Sequence, residues 1–169
     1  MKKFNYLDQL IANCEEAKNA VPTKTIRLCN LKEKKHIDEF IEIKGIKGGI
    51  YIIREIGGNP EKTFKDFSDF KQDQKSKASE GLCCAKLNSP SKVLYVGSCI
   101  GLLRTRLNNH LFAASRSTYA LRLNEWFDDR KYQIDIEVFE VKKEILQLIE
   151  ENRAYELQPA FGKRGPNNK

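Results

Sequence analysis

The fold is decided by residues 93–111, which read VLYVGSCIGLLRTRLNNHL. Apolar β-formers surround a tyrosine at the start of this stretch, and Gly97 and Gly101 bracket the connection that follows. Apolar side chains then recur every fourth residue at Leu103, Leu107 and Leu111, which is the spacing of one helix face. The stretch therefore predicts a short buried strand, a glycine-containing turn and a helix.

Two polar residues share a second face of this predicted helix. Arg106 and His110 are four residues apart and lie about 100° round the helix from the leucines. We expect them at the edge of the core, where a partly buried side chain can still meet a ligand. Arg104 lies on a different flank, and we do not expect it to act together with His110.

A second strand is predicted at 48–56, which reads GGIYIIREI. It contains Gly49-Ile50-Tyr51, and the first stretch contains Tyr95-Val96-Gly97. Together these two tripeptides resemble the signatures of the GIY-YIG nuclease superfamily. The resemblance covers about residues 45–162 and implies a nuclease site made of five side chains: Tyr51, Tyr95, Arg106, His110 and Glu150.

Three glutamates are candidates for the carboxylate of this set. Glu150 stands nine residues before Pro159, as in the family, but Gly162 stands where the family pattern has an asparagine. Glu151 is adjacent to it, and Glu156 lies nearer the apolar side of the predicted helix. We choose Glu150 because of the resemblance alone.

The resemblance implies a metal-dependent endonuclease that hydrolyses phosphodiester bonds in double-stranded DNA. Glu150 would hold a single Mg²⁺ or Mn²⁺ ion, since Mg²⁺ is commonly bound by one or two carboxylates with waters and substrate. Arg106 would grip phosphate oxygens, because its guanidinium donates in a bidentate manner. Tyr51 would act as base toward water with His110 relaying its proton, and Tyr95 would orient water or phosphate.

Two other functions stay open at this stage. One is a catalytically inactive domain that binds nucleic acid on the same scaffold, and the other is a general interaction module whose signature match is accidental. The target, DNA or RNA, is also open. An amino-terminal extension and an internal insertion make the layout similar to that of the family's restriction endonucleases.

The amino-acid composition is typical of a globular protein with a basic surface. The chain has 169 residues, is 40% hydrophobic and carries a net charge of +7, which fits a globular domain with a polyanionic partner. Five cysteines without paired spacings argue against a zinc site or a disulfide framework and favour reduced thiols. No apolar run approaches the roughly 20 residues of a membrane span. We therefore expect a cytoplasmic protein without membrane contact.

The sequence predicts an α+β fold with a small, mainly antiparallel, three-stranded central sheet flanked by helices. Its strands are expected near 48–56, 92–98 and 132–141. An amino-terminal helical extension at 1–44 precedes a nuclease-like domain at 45–169 with a basic carboxy-terminal tail. Within this domain an insertion occupies about 57–90, where phenylalanines spaced by three residues predict a helix and the polar residues 71–80 predict a mobile loop.

Overall fold

The computed structural model describes residues 5–29, 31, 37, 45–112 and 114–164. Within them, the strands are β1 (Lys24–Cys29), β2 (Gly49–Ile56), β3 (Val93–Cys99) and β4 (Lys131–Val138). The α-helices are α1 (Tyr6–Asn19), α2 (Pro60–Ser76), α3 (Leu103–Leu111), α4 (Leu123–Trp126) and α5 (Lys143–Leu157), with a 3₁₀ turn at Ala78–Glu80. The strands form one antiparallel sheet in the order β1-β4-β2-β3.

The predicted α+β class is confirmed, but the predicted number of strands was one too few. The additional strand, β1, comes from the segment that was predicted to be a helical extension, and it pairs along β4. Only Ile26 and Leu28 of β1 are buried, so its apolar alternation is too short to stand out in the sequence. Residues 1–4, 30, 32–36 and 38–44 of the predicted extension lie outside the described residues.

Both tyrosines of the signatures lie on one face of the sheet. Tyr51 is paired with Gly97 and Tyr95 with Ile53, so the tyrosines are diagonal neighbours on adjacent strands. Helices α2, α3 and α4 contribute to the core on this face. The opposite face, which includes Ile50, packs against the apolar side of α5. β3 lies at one edge of the described sheet and β1 at the other.

The insertion is largely helical and belongs to the core. Asn59 caps α2 by accepting the backbone N–H of Lys62 at 3.0 Å, and Phe67 is fully buried with its ring 4.3 Å from that of Phe161. The predicted mobile loop at 71–80 is wrong for its first half, because α2 continues to Ser76. Ion pairs between residues four apart stabilise this polar helix: Lys62–Asp66, Lys65–Asp69 and Asp73–Lys77.

Among the described residues, none of the helices is both long enough and apolar enough to cross a bilayer. All five cysteines are free thiols.

Candidate active site

Three of the predicted site residues form one ring cluster between the sheet and α3. The hydroxyl of Tyr51 lies 3.1 Å from Nε2 of His110. The ring of Tyr95 is stacked on that of Tyr51 at 6.1 Å and lies 4.2 Å from the imidazole. Tyr51 and His110 are 0% and 3% exposed, whereas Tyr95 is partly open to solvent. Tyr95 is therefore the least buried member of the ring cluster.

The imidazole is held in one tautomer by the main chain. The backbone N–H of Leu121 donates to Nδ1 of His110 at 3.3 Å, so Nδ1 is an acceptor and a neutral ring carries its proton on Nε2. Burial, helped by the charge of Arg106, lowers the pKa of His110 to about 3, which keeps the ring neutral. His110 therefore donates to the oxygen of Tyr51. The expected relay, in which His110 accepts the proton of Tyr51, would require the other tautomer and stays a prediction.

Both phenols are neutral in the resting protein. Burial raises the pKa of Tyr51 well above its ordinary value and that of Tyr95 to about 12. The negative charge of Glu150 raises both pKa values further, and the positive charge of Arg106 lowers both. The tyrosines thus lie within electrostatic reach of both remaining residues of the predicted set.

A glycine makes the stacking of the tyrosines possible. A Cβ atom at Gly97 would lie 2.5 Å from the hydroxyl oxygen of Tyr51 and 2.8 Å from the ring of Tyr95. Any other residue at this position would push the two rings away from the sheet. The glycine of the second signature therefore has a specific role, which is to leave room for both tyrosines.

Arg106 is an exposed cation beside the tyrosines. It lies on α3 one turn before His110, and among the described residues its side chain makes no hydrogen bond or ion pair. Its charge nevertheless acts on the pKa of Tyr51, Tyr95 and Glu150. The guanidinium is thus available to an anion that enters beside the tyrosines.

Glu150 reaches the same region from α5. Its carboxylate accepts a hydrogen bond from the hydroxyl of Ser98, the residue after Gly97 on β3. Burial raises the pKa of Glu150, while the hydrogen bond from Ser98 and the charge of Lys163 lower it. These residues open into a pocket of about 180 Å³ between β3 and α5, whose lining also includes Gln147 and Glu151.

The structure separates Glu150 from its two alternatives. Glu151 lines the same pocket and accepts a hydrogen bond from Gln147 at 3.2 Å. Glu156 is 49% exposed and bonds to Asn152 and Arg153, so the expectation that it is the carboxylate nearest the core is wrong. Glu156 projects into solvent from the last turn of α5, whereas Glu150 accepts a hydrogen bond from Ser98 on the sheet.

The position where the family has asparagine also contacts the site. Gly162 has a φ of +91°, and a Cβ atom there would lie 2.5 Å from the ring of Tyr95. Its N–H donates to the carbonyl of Lys86 at 2.8 Å. Asn88 donates to the carbonyls of Pro159 and Gly162 at 3.0 and 3.1 Å. The returning limb of the insertion thus holds the carboxy-terminal segment against Tyr95.

Sequence reasoning missed three side chains near the site: Ser98, Asn88 and Lys163. Ser98 directly follows the second signature. Its position beside Gly97 in a predicted strand could have indicated that it lies near the site. The contacts of Asn88 span 71 residues to Pro159, so nothing local in the sequence indicates them.

The donor set of Glu150 and Ser98 fits a single hard cation. Both are oxygen donors at the wall of an open pocket, where waters and substrate could complete an octahedral shell. Among the described residues no group of three or more His, Cys, Asp or Glu side chains is placed to hold a metal ion. A cage made only of protein ligands is not what Mg²⁺ commonly requires.

Comparisons of the chain with protein-family models, with curated proteins and with solved structures found no match.

Proposed function

We propose that the protein is a metal-dependent endonuclease of the GIY-YIG type that hydrolyses phosphodiester bonds in double-stranded DNA. The observation that carries the proposal is the ring cluster of Tyr51, Tyr95 and His110 beside an exposed arginine and a half-buried carboxylate. The residues were first selected by their resemblance to one nuclease pattern, and they occupy one region of the fold. The +7 charge supports a polyanionic substrate.

Arg106 binds the scissile phosphate in this proposal. Its guanidinium can donate two parallel hydrogen bonds to non-bridging oxygens and can stabilise the negative charge that grows in the transition state. Its charge also lowers the pKa of Tyr51 and Tyr95, which burial otherwise keeps high. Arg106 would thus both bind the phosphate and favour deprotonation of the tyrosines.

The tyrosine pair handles the proton of the attacking water. Tyr95 is the less buried of the two phenols and orients that water, while Tyr51 accepts its proton once the assembled site has released the phenol proton to solvent. The Nε2–H of His110 donates to the resulting phenolate and stabilises it. His110 therefore assists Tyr51 as a neutral hydrogen-bond donor. Attack of water on phosphorus and loss of the leaving oxygen then occur in one step.

Glu150 and the hydroxyl of Ser98 would hold the metal ion. When bound, the ion supplies positive charge that stabilises the phosphate and the leaving oxygen. Retention of the Ser98 hydrogen bond fixes one carboxylate oxygen and leaves the other free for a ligand.

A plasmid assay tests the proposal. Purified protein is incubated with supercoiled plasmid DNA and Mg²⁺, and nicked and linear products are followed on a gel. We expect cleavage by the wild type, loss of cleavage by Tyr51→Phe, and a smaller loss by Tyr95→Phe. Both variants keep their ring packing and should still retard DNA in a gel shift.

The same assay separates the alternative functions. Retarded migration without cleavage in any divalent metal would support the inactive binding domain, and neither retardation nor cleavage would support an interaction module. A larger loss in Tyr95→Phe than in Tyr51→Phe would reassign the base to Tyr95. Sequencing the ends produced from genomic DNA then tests the restriction-type assignment, which requires a common sequence at the cut sites.

A further inference from the structure

The segment that follows α5 is fixed on two sides of Lys163. Before it, Gly162 packs on Tyr95 and is bonded to the insertion limb through Lys86 and Asn88. After it, Arg164 bonds to the hydroxyl of Ser89 and lies 3.4 Å from the carbonyl of Pro159. The residues on both sides of Lys163 are therefore bonded to other parts of the chain, and the exposed side chain of Lys163 extends from this segment.

The ammonium group of Lys163 lies near the carboxylate of Glu150 but forms no ion pair with it. Lys163 lines the pocket between β3 and α5 together with Ser98 and Glu150. It is exposed, and among the described residues it forms no hydrogen bond or ion pair. Its charge still acts on Glu150, so the two groups lie close without forming a closed pair.

Apart from Lys163, the charged side chains that line this pocket are carboxylates. Glu150 and Glu151 both line it, and two carboxylates repel a phosphate diester at short range. Arg106 does not belong to this lining and stands on another element, α3. A lysine ammonium suits the task because it can follow a phosphate as a mobile point charge.

We propose that Lys163 is a second phosphate-binding cation of the site, which contacts the nucleic-acid backbone at the pocket between β3 and α5. The inference rests on the proposed function and extends it, since Arg106 holds the scissile phosphate and Lys163 holds a neighbouring one. The contact is the same in the ground state and in the transition state, so it contributes to substrate binding more than to the chemical step.

The test measures binding separately from cleavage. Affinity of the full chain for a fluorescein-labelled DNA duplex is measured by anisotropy in EDTA across a salt series. Lys163→Met should weaken binding several-fold and reduce the slope of log affinity against log salt by about one, because one phosphate contact is lost. Lys163→Arg should restore both. Lys92→Met, at the other end of β3, is the matched control and should leave the slope unchanged.

Kinetics complete the test where the wild type cleaves. Lys163→Met should raise KM with kcat nearly unchanged, whereas an effect on kcat alone would show that Lys163 acts only through Glu150 and would overturn the proposal. An unchanged salt slope in Lys163→Met would also overturn it. If the wild type binds but does not cleave, a reduced slope still supports the phosphate contact while the proposed nuclease activity fails.

Discussion

Single atoms decide whether the tyrosine cluster can exist, and Gly97 shows this most directly. Gly97→Ala places a methyl group 2.5 Å from the hydroxyl oxygen of Tyr51, so the ring must move or the strand must shift. Such overpacking in a core typically costs about 1–3 kcal/mol. We expect a loss of this size in the free energy of unfolding measured with urea, together with loss of cleavage.

Gly162→Ala tests the second glycine against the same ring. Its φ of +91° and the contact with Tyr95 both oppose a side chain, so the variant should lose stability and activity. Gly101→Ala is the matched control, since a Cβ atom there meets nothing within 4 Å. Equal effects of both substitutions on stability would contradict the packing described for Tyr95.

His110 provides a prediction about pH. Its pKa of about 3 in the folded protein lies below the ordinary value of about 6.5 in the unfolded chain. Between these values the unfolded state binds one proton more, so stability falls as pH falls through this window. Lowering the pH from 7 to 5 should therefore cost the wild type about 2 kcal/mol more than His110→Gln, which cannot titrate.

Urea denaturation of both proteins at the two pH values measures this difference. The same loss in wild type and variant would show that the imidazole is accessible to protons in the folded state.

At the scale of elements, α3 presents its two arginines differently. Arg106 is among the principal charges that act on the pKa of Tyr51 and of Tyr95, and Arg104 is not one of these principal charges. Arg106→Lys should reduce cleavage on the order of 10²-fold, because a point charge cannot reproduce a bidentate grip. Arg104→Lys should reduce it far less. Cleavage rates at saturating Mg²⁺ measure both, and equal losses would contradict the assignment of helix faces.

The elements differ in how well the sequence predicted them. β2 and β3 were predicted within about one residue of their ends, because their apolar runs are bounded by glycines or polar residues. The leucine face of α3 was also predicted from local spacing. β1 was not, since only two of its side chains are buried and its partner β4 is about a hundred residues away.

The site shows the same division between local and distant signals. Tyr51, Tyr95, Arg106 and His110 could be selected because each belongs to a short motif. Gly162, which looked like a departure from the family pattern, could not be interpreted from the sequence. Glycine is favoured at position 162 because its φ angle is positive and because the ring of Tyr95, from a strand distant in sequence, packs against it.

For the molecule as a whole, binding and cleavage should respond to different solution conditions. Glu150→Gln should abolish cleavage while leaving fold and DNA affinity largely intact, because the amide keeps the size of the side chain and removes its charge. Affinity should fall with salt, since it rests on lysine and arginine contacts to phosphates. Cleavage should stop in EDTA and return with Mg²⁺ or Mn²⁺.

A combined cleavage and gel-shift series on wild type and Glu150→Gln measures these dependences. Strong cutting by Glu150→Gln, or by the wild type in EDTA, would rule out the role assigned to Glu150.

The bond between Asn88 and the carbonyl of Pro159 joins parts of the chain that are synthesised at different times. Residues 88 and 159 are 71 positions apart, and Tyr95 gains its neighbour Gly162 only when the later segment is in place. Contacts of this range form late in folding, because the connecting chain must first be ordered. A nascent chain that already contains Tyr51, Tyr95, Arg106 and His110 therefore lacks an assembled site. The proposed activity would appear only after residue 162 has emerged from the ribosome.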